Sequence, residues 1–180
     1  MDTYQTARLT VERLSFHSER PFESVLGSIR QGIGHPDPDD LWATIRGEES
    51  FEKVEGIVQA AVGPTGLMAF GEFDDGRFIR KDRGDGTPSA GRLQVGNPLI
   101  MKRMAELAPD AAAYVPVTIL VDELGGKVQV SYDRMASLLS AYTDSGATRI
   151  AKDLDAKVES LIRLAIALSF GTPLDVPFSC

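Results

Sequence analysis

The chain has 180 residues, 43% of them apolar, which is enough for one domain with a real core. Its 19 lysines and arginines against 26 acidic residues leave a net charge of −7, which argues against nucleic acid or an anionic membrane as a partner for the whole surface. Cys180 is the only cysteine, so no intramolecular disulfide can form, and no apolar run near residue 1 has signal length. A cytoplasmic protein is the expectation.

Residues 9–17 alternate as a first strand, with a change of phase at Glu12-Arg13 that fits a bulge. Ser18 and Pro21 open a helix whose apolar face is Phe22, Val25, Leu26, Ile29 and Ile33. Gly34-His35-Pro36 ends it. Residues 38–46 read as a short helix begun by Pro38 and acidic residues, which suit a helix N-terminus. Ser50 is placed to cap a further helix with the stripe Phe51, Val54, Ile57 or Val58, and Ala61. Leu67–Phe73 and Arg77–Arg80 read as two strands joined through Asp74-Asp75-Gly76, a good turn sequence. Residues 82–90 are a polar loop.

The stretch from Gly91 to Arg134 is the clearest signal. Leu93 and Val95 alternate with Arg92 and Gln94 as a strand. Asn97 is placed as an N-cap with Pro98 at the first helical position, where its missing N–H is no loss. Leu99, Ile100, Met104 and Leu107 give the helix its apolar contacts, and Pro109 ends it. Val117–Val121 and Lys127–Tyr132 pair across Leu124-Gly125-Gly126. Helices near 133–142 and 148–168 follow, the second with the stripe Ile150, Leu154, Val158, Leu161, Ala165 and Leu168. Strands joined as neighbours, with helices between and after, predict an α+β two-layer sandwich. Its sheet is mostly antiparallel or mixed, with five to six strands and helices on one face. One domain spans 1–170, followed by a loose tail at 171–180.

The unit around Gly96-Asn97-Pro98, the apolar strand after Val115-Pro116, the Gly125-Gly126-Lys127 turn and the strand ending at Tyr132 together resemble the family called domain of unknown function 302. The order of elements fits from about residue 8 to 165. The chain has Asp133-Arg134 where the family usually has Asp-Pro. The resemblance implies a small two-layer α/β domain, dimeric and cytoplasmic, and no established activity.

Four residues are candidates for chemistry. Asn97 is a helix cap, or else the N–H groups after Gly96 receive an anionic ligand. Tyr132 shares a strand face with Val128 and Val130 and is a core tyrosine, or its hydroxyl points into a pocket. His17 has no identifiable partner as a general base. His35 lies among Asp37, Asp39 and Asp40, but without a second histidine or a cysteine group at ligand spacing, so no metal and no cofactor are expected. Met68, Met101, Met104 and Met135 read as core filler. The leading expectation is a non-catalytic homodimeric module that binds a small apolar or weakly anionic molecule between sheet and helices. One alternative is an enzyme using Tyr132 or His17 as proton donor or acceptor. The other is an assembly subunit using the last helix and the tail.

Overall fold

Five strands alternate so that one face of a sheet is apolar and the other mostly polar. The structure, a computed structural model, describes residues 6–84, 86–142 and 145–167. The strands are β1 (Arg13–Ser18), β2 (Met68–Phe73), β3 (Ala90–Gly96), β4 (Val117–Leu124) and β5 (Lys127–Asp133). They form one sheet in the order β1-β5-β4-β3-β2, and each neighbouring pair is antiparallel. The helices are α1 (Phe22–Gly32), α2 (Pro38–Gly47), α3 (Phe51–Ala61), α4 (Asp75–Arg83), α5 (Pro98–Leu107), α6 (Met135–Leu138) and α7 (Ser145–Ala167). The architecture is the expected α+β sandwich.

The register shows why the layers meet as they do. Leu14, Tyr132, Ile119 and Leu93 lie side by side across four strands, and the last three are fully buried. Against this row lie α1 through Val25, Leu26 and Ile29, α5 through Ile100 and Met104, and α7 through Leu154, Val158, Leu161 and Ile162. Burying each such side chain stabilises the fold by about 1.5–3 kcal/mol. The adjacent row of the opposite face is Ser15, Ser131, Leu120, Arg92 and Phe73, where Leu120 is half-buried and Phe73 is exposed.

Several expectations need correction. Arg77–Arg80 is not a strand: Asp74-Asp75-Gly76 starts α4 instead of turning a hairpin, and the Asp74 carboxylate accepts from the Arg77 N–H at 2.6 Å. A side chain that caps orphan N–H groups starts a helix as readily as it closes a turn. β2 therefore pairs with β3, and the sheet has five strands. Residues 9–12 stand before β1, which starts at Arg13 without the expected bulge. After α5, Pro109–Tyr114 continues as a 3-10 turn. The helix expected over 133–142 is only α6. Ser50 precedes α3 but makes no side-chain cap. Leu168 and the tail at 171–180 lie outside the described residues.

A close crossing fixes α3 beside the sheet. A side chain at Gly34 would place its Cβ 1.9 Å from the Ala61 carbonyl oxygen, and one at Gly63 would come within 2.3 Å of the Ile33 backbone. Both N–H groups donate to the Leu67 carbonyl at 2.9 Å, which ties the end of α1 and the end of α3 to the start of β2. Leu41, Val58 and Met68 make a second small core there.

Candidate functional site

The cap at the start of α5 also serves as a brace. Asn97 is buried, and its Oδ1 accepts from the Leu99 N–H at 2.8 Å while its Nδ2 donates to the Gly66 carbonyl at 2.9 Å. The Ile100 and Met101 N–H groups donate to the Asn97 carbonyl. The first turn of α5 therefore has its N–H groups in use, and an anion at this end would be held by side chains. Gly96 is buried one residue earlier, where a Cβ would come within 3.2 Å of Val115 and 3.3 Å of Phe70.

Beside Asn97 lies a cleft of about 400 Å³. Phe51, Glu55 and Gln59 of α3 form one wall, and Leu99, Ile100, Lys102 and Arg103 of α5 form another. Gly66, Asn97 and Lys157 of α7 complete it. Gly66 has φ +74, which favours glycine, and the Lys157 ammonium lies 3.2 Å from where its Cβ would be. Three cations therefore face one carboxylate, Glu55, in a protein of net charge −7.

The three cations are not equally free. Lys102 pairs with Glu106 at 2.5 Å and stands 4.8 Å from the centre of the Phe51 ring. Among the described residues Lys157 donates only to the Thr65 carbonyl, at 3.4 Å, and no partner engages Arg103. Phe51, the first residue of the stripe read from sequence, is half exposed at the mouth. Lys102, Arg103, Lys157 and Gly66 were not among the sequence candidates. The first two follow Asn97 by five and six positions and were within reach of a sequence reading. Lys157, 60 positions after Asn97, carried no such signal.

Tyr132 lies elsewhere, in the core. Its hydroxyl donates to Asp155 Oδ1 at 2.5 Å, and Asp155 also accepts from the Met135 and Ala136 N–H groups at 2.7 and 3.0 Å. Asp155 is itself buried, so one carboxylate of α7 caps α6 and fixes the tyrosine. Burial first, then the neighbouring Asp155 carboxylate, push the phenol far above its ordinary pKa, so it remains protonated and is a poor proton donor. Sequence reasoning missed Asp155, because a lone acid within an apolar stripe gives no sign of its partners.

His17 is exposed and pairs in register with Gln129, on the sheet face opposite the one that Tyr132 occupies. The two side chains lie on opposite faces of the sheet and share no pocket. His35 Nε2 lies 2.9 Å from the Arg30 carbonyl, and the Asp37 carboxylate caps α2 through the Asp39 and Asp40 N–H groups. Met68, Met104 and Met135 are fully buried in the apolar cores. Among the described residues no helix is long and apolar enough to cross a membrane.

The sequence profile of the family described as Domain of unknown function DUF302 matches residues 43–165. The fold is similar to the crystal structure of an uncharacterised conserved DUF302 protein from Bacillus stearothermophilus, with a TM-score of 0.60 at 12% identity. That likeness covers 85% of this chain and 97% of the other. No functionally curated protein matches the chain.

Proposed function

Because the chain belongs to the DUF302 family, whose description carries no activity, we propose its function from the cleft: it is a non-catalytic, homodimeric, cytoplasmic module that binds a small molecule between α3, α5 and α7. The observation that carries this reading is the cleft of about 400 Å³ beside Asn97, a size in the range of small-molecule sites. Its walls come from three helices and one glycine turn, so its shape depends on the tertiary fold. Phe51, Leu99 and Ile100 give it apolar surface, and six of its ten lining residues are polar or charged.

The assembly reading has less support. α7 packs one face into the core along Ala151, Leu154, Val158 and Ile162, and its exposed face is mostly charged or small, with Leu164 the one large apolar side chain on it among the described residues.

A thermal-shift screen against a broad panel of metabolites tests the binding reading. A ligand at 100 times its Kd adds about 2.7 kcal/mol to stability, which for a domain of this size is a rise of roughly 5–10 °C. The expected result is a hit that is lost in Gln59→Trp, a variant that fills the mouth from the exposed side of α3. A panel with no stabilising compound at millimolar concentration would count against the reading.

A further inference from the structure

We infer that the cleft takes an organic oxyanion, a small molecule with an apolar body and a carboxylate or phosphate head. The inference rests on the binding reading above and narrows it to a ligand class. The lining of the cleft combines two kinds of side chain. Phe51, Leu99 and Ile100 supply apolar surface, and Arg103 and Lys157 supply charge from two different helices. Lys102 is neutralised by Glu106 and stands by the Phe51 ring, so it belongs more to the wall than to the head site.

Arg103 and Lys157 have no carboxylate partner among the described residues, although the protein has 26 acidic side chains. With Glu55 the one carboxylate of the lining and in no ion pair with either, two cations against one anion leave the cleft locally positive in an acidic protein. A guanidinium donates a planar pair of N–H groups to a carboxylate or phosphate, and the ammonium adds a point charge from the α7 side. Gly66 keeps the path to the Lys157 head open, because any side chain there would crowd it. Inorganic phosphate would satisfy only the head site. A neutral aromatic would satisfy only the apolar wall.

The test is an NMR titration of the full chain with phenyl phosphate, benzyl alcohol and inorganic phosphate, which isolate the whole, the apolar part and the charged part. The expected result is that phenyl phosphate shifts the Leu99, Ile100 and Arg103 amides and binds at least fivefold more tightly than either fragment. Arg103→Gln and Lys157→Gln should each weaken it about fivefold or more. Phe51→Ala should weaken phenyl phosphate and leave inorganic phosphate unchanged. Lys81→Gln, on α4 outside the cleft, should have no effect. These side chains are exposed, so the variants should keep the wild-type circular dichroism. Raising the salt should weaken phenyl phosphate and not benzyl alcohol. Equal binding of benzyl alcohol, or indifference to both cation variants, would overturn the oxyanion class and leave the binding reading standing. No shift with any of the three probes, together with an empty metabolite screen, would overturn both.

Discussion

Asn97 does two separable jobs, and substitution can divide them. As the cap of α5 its Oδ1 is worth about 1 kcal/mol. Its bond to the buried side of the Gly66 turn adds a second contribution of about 1 kcal/mol. Asn97→Ala should therefore lose about 2 kcal/mol in urea unfolding, and Asn97→Ser, which still caps but cannot reach Gly66, about half of that. If serine matches asparagine, the brace to Gly66 contributes nothing. The Tyr132 hydroxyl works differently. Its folded pKa is raised, first by burial and then by Asp155, so its stabilising effect is complete below the ordinary phenol range. As pH rises past about 10 the unfolded phenol ionises first, and folding weakens. Tyr132→Phe should cost about 1–2 kcal/mol at neutral pH through the lost bond to Asp155. The gap between the two proteins should narrow between pH 9 and pH 11, because the variant lacks this ionisation. A gap that stays constant would mean that Tyr132 is not kept neutral by its surroundings.

At the scale of elements, legibility followed local signals. The β4–β5 hairpin was readable because Gly125 and Gly126 have φ of 61 and 80, the conformation a two-residue turn demands, and because the flanking strands alternate. The cap and proline at Asn97-Pro98 were readable for the same reason: one residue type meets one backbone need. α4 was not, because Asp-Asp-Gly serves a turn and a helix start equally, and only Gly76 of that helix is buried, so no apolar stripe marks it. A helix with so little burial leans on its cap. Asp74→Ala should lower hydrogen-exchange protection of the α4 amides about fivefold, the equivalent of about 1 kcal/mol, with global stability almost unchanged. A uniform loss across the sheet would show that α4 unfolds only with the whole domain. The cleft was legible only at Asn97. Phe51, Arg103 and Lys157 lie on three separate segments, and it is packing, helped by the glycine crossing at Gly34 and Gly63, that brings them together.

At the scale of the whole molecule, the two faces of the sheet pose the remaining question. One is packed against α1, α5 and α7, and the row of Ser15, Ser131, Leu120 and Arg92 runs across the other. On that face Arg13 pairs with Asp133 at 2.6 Å and Arg92 with Asp75 of α4 at 3.0 Å. Asp122 Oδ1 is shut away from solvent without a hydrogen-bond partner among the described residues, and burial pushes its carboxyl above the usual range. A second copy related by a two-fold axis would lay this face against the same face of its partner, because a two-fold interface pairs a patch with itself. It would also cover Leu120, which is only half-buried in one copy. The homodimer proposed above therefore predicts that sedimentation at about 100 μM gives twice the monomer mass, and that Leu120→Glu gives the monomer with unchanged circular dichroism. A wild-type monomer at this concentration would end the dimeric part of the proposal. A Leu120→Glu dimer of full mass would move the interface to another surface and leave the sheet face to solvent.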